Sequence, residues 1–309
     1  MKTLFLLALG LPIIVQGQYF SGEIVYKMKI ISKSDPNNLE KIKESKHETT
    51  ASYLITSKHY KSTYYRDGNY SYSYTYDDET KRIYDDYSDK PYVTYRDSRK
   101  SNFEYRESQI FKDSTAKILD YDCYMVISES EYGRSKTYYS EKIRVNYSDF
   151  KGHKVGNWYN KLREVNGAIA LKTVTEFESY IEIQEAVTID KRKVRLKEFE
   201  IPKKPIAASF TALDNQAEMR PPSQQQIQCY QQKTNAVSKK GGEKYTSYVS
   251  FLLQKNGVIK FVEPYGEGPG EFHKVAIDIV KNCDLQFSPG KIGGKSVDSE
   301  IIFPVEFLK

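Results

Sequence analysis

Between Tyr70 and Tyr76 the chain reads YSYSYTY, a tyrosine at every second position with a small Ser or Thr between. Side chains of a strand alternate between its two faces, so Tyr70, Tyr72, Tyr74 and Tyr76 are predicted to share one face of a sheet while the hydroxylated residues line the other. This run is the local form of a wider bias: 27 tyrosines against one tryptophan in 309 residues, most of them in the first half. In strands such side chains ordinarily pack a core or cover a sheet surface, and that plain reading stands beside any functional one.

The same period of two recurs elsewhere. FSGEIVYKMKI alternates around Ile24, Tyr26, Met28 and Ile30, and further strands are predicted through Thr137 to Tyr139, Ala168 to Thr175 and Tyr180 to Ile189. Asp35 to Thr56 reads as helical or irregular and charged, and no stretch before residue 200 gives a long capped amphipathic helix. The first half is therefore expected to be mainly antiparallel β, a curved sheet or half-barrel.

Length favours two domains, and 39% hydrophobic with 28% charged residues is a globular balance. The net charge of +6 comes from both signs interspersed along the chain. Without a concentrated basic stripe, no nucleic-acid partner is predicted. Residues 1–17, MKTLFLLALGLPIIVQG, have the layout of a secretory signal: Lys2, an apolar run from Leu4 to Val15, and Val15 and Gly17 before a cut near Gly17. Twelve apolar residues are too few to span a bilayer, and an exported, periplasmic product is expected. Of Cys123, Cys229 and Cys283, the last two share the C-terminal segment and are the expected disulfide pair; unreactive buried thiols are the alternative.

The domain reading is a signal at 1–17, a Tyr-rich antiparallel β domain at 18–201, a linker at 202–226 and a small α+β domain at 227–309. The linker is read from Pro202, Pro205, Pro221 and Pro222 among small and polar neighbours. Beyond it, KYTSYVSFLLQ reads as a strand with Val249, Phe251 and Leu253 on one face; Asn256-Gly257 is a hairpin turn and VIKFV the return strand. Phe272, Val275, Ala276, Ile279, Val280 and Cys283 form an apolar helical stripe that starts after Pro269 and Gly270. VDSEIIFPVEFLK is a last strand with Ile301, Phe303, Val305 and Phe307 on one side, so the expected order is β-β-α-β.

Catalytic, metal and cofactor motifs are missing from the sequence. His47, His59, His153 and His273 stand far apart without HExxH or GxSxG, and His273 reads as a solvated surface residue. Asp77-Asp78 and Asp85-Asp86 lack calcium-loop spacing and read as turn or solvated charges. GEGPGEF and PGKIGGK match no phosphate loop, and Asn69 and Asn146 begin chance-level glycosylation sequons. No enzyme and no cofactor is expected. Pro304 cannot donate a ladder hydrogen bond, which places the last strand at a sheet edge that is either open to an added strand or merely blunted.

Two resemblances follow from these residues. YVSFLLQKNGVIKFV, EFHKVAIDIVKNC and LQFSPGKIGGKSVDSEIIFPVEFLK resemble the C-terminal domain of TonB over roughly residues 220 to 309, above all at Phe287, Pro289, Gly290, Lys291, Gly293 and Gly294 and at the closing Phe303-Pro304-Val305 and Phe307. The resemblance implies a periplasmic β-β-α-β domain that grips a peptide of an outer-membrane receptor by strand addition along Val297 to Phe307, through Val297, Ile301, Ile302, Phe303, Pro304, Val305 and Phe307. The chain departs from that family in its cleavable signal, its lack of a Pro-rich stalk and its extra domain in front. FSGEIVYKM, ILDYDCYMV with Cys123, YYSEKIRV and NGAIALKTV more weakly resemble secreted β-rich domains related to the lipoprotein-carrier half-barrel, with Asp120 where those domains often carry a glycine. That resemblance implies a lipid-like ligand against the tyrosine face. The leading expectation is a periplasmic TonB-like binding protein linked to outer-membrane transport, and the alternative is a lipid or lipoprotein carrier.

Overall fold

The computed structural model describes residues 19–33, 48–101, 104–130, 133–238 and 242–308. The expected signal, most of the charged stretch after Asp35, and His47 lie outside the described residues. Strands β1 (Gly22–Ser32), β2 (Thr50–Ile55), β3 (His59–Arg66), β4 (Asn69–Asp77), β5 (Arg82–Tyr87) and β6 (Val93–Asp97) form one antiparallel meander. A second contains β7 (Gln109–Ile118), β8 (Tyr121–Ser130), β9 (Gly133–Arg144), β10 (Ala168–Glu176) and β11 (Tyr180–Lys191). Because β1 pairs with β2 on one side and β11 on the other, it fuses the two meanders into one surface.

The C-terminal part adds β12 (Ile206–Ala208), β13 (Glu218–Met219), β14 (Lys244–Leu253), β15 (Ile259–Tyr265), β16 (Phe287–Ser288), β17 (Lys291–Ile292), β18 (Lys295–Ser296) and β19 (Ser299–Leu308). The helices are α1 (Trp158–Glu164), α2 (Gln224–Val237) and α3 (Gly270–Asn282). One 15-stranded curved sheet runs through both halves in the order β15-β14-β19-β12-β6-β5-β4-β3-β2-β1-β11-β10-β9-β8-β7. The expected class, β-rich with a small α+β C-terminal part, is what is observed.

Within the stretch 202–226, expected as a linker, Ile206–Ala208 is built into the large sheet. β12 pairs in parallel with β6 and with β19. Ala207, Ala208, Ala212 and Leu213 are buried, and the last three share a core with Tyr84, Val93 and Tyr95. The small side chains that read as linker composition are small because this strand is packed on both faces: Ala208 lies in that core while Ala207 meets Tyr92 and Leu252. The prolines bound the strand and do not interrupt it.

Tyr72, Tyr74 and Tyr76 keep the alternation predicted for β4, but Tyr70 does not. β4 is bulged at Ser71, so that Tyr64 opposes Tyr72 whereas the next residue, Tyr65, opposes Tyr70. One extra residue on one strand reverses the facing of everything beyond it. Tyr70 accordingly reaches Ser73 and Asp86 on the far side.

The N-terminal core, with Ile24, Tyr26, Tyr53, Tyr60, Tyr76, Phe150, Leu162 and Leu171, is covered by α1 and the turn before it. A second core joins Val249, Phe251 and Leu253 of β14 to Phe272, Ala276, Ile279 and Val280 of α3 and to Val305 and Phe307 of β19. The real order of this part is α-β-β-α-β, because α2 precedes β14.

Candidate functional site

A cavity of about 200 Å³ lies between the N-terminal sheet and α1. Its wall takes Tyr26 from β1, Tyr53 from β2, Tyr64 from β3, Tyr74 from β4, Gln184 from β11, Thr173 from β10 and Tyr139 from β9. These are seven consecutive strands of the sheet, and in a flat sheet the outer two would lie roughly 29 Å apart at about 4.8 Å per strand. Tyr74 and Tyr139 line one small space only because the sheet curls round it, as a half-barrel does. Trp158, Lys161 and Leu162 of α1 stand at i, i+3 and i+4, one helix face, and close the cavity from above.

The tyrosines serve both core and cavity. Tyr60 is the hub of the aromatic packing, with ring centroids 5.3 Å from Tyr76, 5.4 Å from Trp158 and 5.7 Å from His153. Its hydroxyl meets His153 Nε2 at 2.7 Å. On the cavity wall, Tyr26 donates to the carbonyl of Ala170 at 2.8 Å, and the hydroxyls of Tyr64 and Tyr74 meet at 3.3 Å. Burial, reinforced by neighbouring phenols, pushes the pKa of Tyr26, Tyr53 and Tyr64 well up, so these groups stay neutral donors.

Two polar atoms of the wall have no partner: Tyr53 Oη and Trp158 Nε1 are buried and unbonded. A buried donor without an acceptor costs about 1–3 kcal/mol. At the mouth, the exposed Lys161 contributes the cation. Desolvation by the neighbouring wall lowers its pKa, and nearby Glu164 opposes that shift. Glu164 is itself occupied by the hydroxyl of Tyr105 and the backbone N–H of Ser108. A larger groove of about 430 Å³ beside α3, with Arg220, Lys281 and Asp284, contains no such unpartnered buried atom.

The residues predicted for strand addition fall elsewhere. β19 is an inner strand, paired with β14 along its whole length from Ser299 to Leu308 and touching β12 at Ser299. Towards its C-terminal end the other flank is met by α2 and its C-cap residue: the backbone N–H of Glu306 donates to Tyr230 Oη, and that of Leu308 to Ser238 Oγ, both at 3.0 Å. Pro304 has the same parity as these two, so its missing donor falls on the capped side and costs no ladder bond. Val305 and Phe307 are buried, Ile301 and Phe303 pack against the same core, and Ile302 is half-buried on the opposite face. Val297 packs with Ile292 against the core between the two halves. The expected edge is thus corrected; the two outermost strands of the large sheet are β15 and β7.

The Phe287-to-Gly294 motif is structural. Phe287 is buried; a Cβ on Gly290 would stand 2.7 Å from a methyl of Leu213, so glycine permits the close approach of the 210–215 segment. Gly293 and Gly294, both at positive φ, turn β17 into β18, while the carbonyl of Lys291 accepts from Asp214 N–H and the N–H of Gly293 donates to Asp214 Oδ2. Pro289 is half-buried between β16 and β17.

Cys229 and Cys283 are bonded, joining α2 to the end of α3 with Cα atoms 5.6 Å apart, and Cys123 is a buried free thiol. His273, expected on the surface, is buried beside the α3 stripe. His59 pairs with Asp77 at 3.2 Å. Asp78 pairs with Lys81, Asp85 holds Arg96 through two bonds of 2.8 and 2.7 Å, and Asp86 pairs with Lys204. Among the described residues no group of three or more His, Cys, Asp or Glu is arranged to hold a metal ion, and no helix is long and apolar enough to cross a membrane.

No known family profile matches the chain, and no curated protein does. Among solved structures, PNGF-II is similar with a TM-score of 0.39 at 10% identity over 94% of this chain, which spans 64% of the length of that one. The Mycobacterium tuberculosis lipoprotein LppX (TM-score 0.27, 7% identity) is matched over 57% of this chain and 89% of its own. A LolA-superfamily protein of Nitrosomonas europaea (0.28, 8%) is matched over 59% of this chain and 90% of its own. None of the three is a TonB domain, and at TM-scores this low no statement about function follows.

Proposed function

We propose that the protein is an exported, non-enzymatic carrier whose N-terminal half-barrel holds a lipid-like ligand in the tyrosine cavity. The observation that carries this reading is the convergence of seven consecutive strands and one face of α1 on a single aromatic-walled space. A sheet that curls this far and still leaves its centre unfilled sets aside volume that core packing would otherwise close. The space is smaller than the roughly 300–1,000 Å³ usual for sites that enclose a whole drug-sized ligand, so it suits one short acyl chain or the end of a longer one. Strand addition at β19 forms no part of this reading, because β12 meets that flank at Ser299 and α2 with its C-cap residue meets it at Glu306 and Leu308. The C-terminal part instead extends and braces the sheet.

Native mass spectrometry of the purified full chain tests the proposal. An adduct of amphiphile mass is expected that organic extraction removes and that Thr173→Phe, which adds a ring to the cavity lining, reduces. A bare protein that also takes up no added dodecanoate would remove the proposal's support.

A further inference from the structure

We infer that the cavity selects an anionic amphiphile: the apolar tail enters among the tyrosines, and a carboxylate or phosphate head stays at the mouth against Lys161, with Tyr53 Oη and Trp158 Nε1 as hydrogen-bond donors. The inference rests on the carrier reading above and adds a headgroup class to it. Three observations meet at one place. Tyr53 and Trp158 both line the cavity, each carries a buried donor without an acceptor, and their rings stand 6.3 Å apart. Neither can be satisfied by an apolar ligand, and an oxygen-rich head satisfies both.

Lys161 lines the same cavity and has no ion-pair or hydrogen-bond partner among the described residues. Its nearest carboxylate on α1, Glu164, is held by Tyr105 and Ser108. On the opposite face of the same strands, Lys172 pairs with Glu185 at 2.7 Å and Lys136 with Glu176 at 3.3 Å. A cation without an ion-pair partner at the rim of the cavity favours a ligand that carries the opposite charge, because a charge-assisted hydrogen bond is stronger than a neutral one. Lysine's flexible stem suits a head presented at the mouth, where no fixed fork geometry is required.

The probes are dodecanoate, dodecyl phosphate and neutral 1-dodecanol, each titrated against the full chain by calorimetry below the concentration at which it self-associates. The wild type is expected to bind the two anions at least 10-fold tighter than the alcohol. Lys161→Met should abolish that preference, Lys161→Arg should retain most of it, and Tyr53→Phe should weaken the anions about threefold. Preference for only one anion would assign the head to carboxylate or to phosphate, supporting the inference in that narrower form. Equal affinity for all three in the wild type, or an anion preference that survives Lys161→Met, would overturn it while leaving the carrier reading in place. Binding of none of them would overturn both.

Discussion

The hydroxyl of Tyr230 accepts the backbone N–H of Glu306 at 3.0 Å, so that a helix side chain stands where a neighbouring strand would otherwise bond. Ser238 repeats the arrangement at Leu308, and Pro304 has no donor to offer. The flank of β19 is closed by three local devices, each of a kind that natural sheets use against unwanted pairing. Replacing Tyr230 with Phe removes the acceptor and leaves the ring. The expected result is a loss of about 1 kcal/mol of stability and faster amide exchange at Glu306. Unchanged exchange there would show that α2 does not cap the strand.

His153 gives the fold a dependence on acid. Burial, with Arg96 nearby, holds its pKa at about 3 against 6.5 for the free side chain. The unfolded chain therefore takes up the proton first as pH falls. The stability associated with neutral His153 is complete above pH 6.5 and is lost progressively down to about pH 3. Between pH 7 and pH 4 the wild type should lose roughly 3 kcal/mol more than His153→Gln, read from urea midpoints. Parallel losses in the two proteins would mean that His153 is not held neutral.

The Cys229–Cys283 bond closes a loop with a sequence separation of 54. Chain-entropy arguments put such a constraint at about 4 kcal/mol. A denatured, unreduced sample should show one reactive thiol, from Cys123, and a reduced sample three. Reduction should lower the unfolding midpoint of the C-terminal part; three thiols without reductant would contradict the pairing.

Gly290→Ala probes the junction between the two halves. Its new methyl would meet Leu213 at 2.7 Å and Ser299 Oγ at 3.3 Å. Overpacking of this kind costs about 1–3 kcal/mol, and it should appear as increased protease sensitivity near residues 205–215. Wild-type resistance at that segment would argue that the halves are joined less tightly than described.

Much of this architecture was legible where a single periodicity governs. β1 and β19 show period two, and the Phe272–Cys283 stripe shows a helix, because each buries one face against one neighbour. α2 escaped because QQQIQCYQQKTNAV has no apolar stripe; it is held by the disulfide and by the capping box of Ser223 and Gln226, the one local signal that could have revealed it. β12 read as linker because a strand packed on both faces by larger neighbours needs small residues, and the Ser71 bulge left no mark on the tyrosine alternation that it breaks. The cavity was the least legible part. Its tyrosine wall could be anticipated as a face, but its closure depends on a seven-residue helix with no side-chain N-cap bond and on a curvature that no single strand encodes.

The chain's only tryptophan lies on the cavity wall, which makes ligand entry directly observable. A dodecanoate brominated along its chain should quench Trp158 emission saturably at one ligand per protein, with Thr173→Phe reducing the effect. Binding detected by calorimetry with Trp158 emission unchanged would place the ligand elsewhere and contradict the carrier reading.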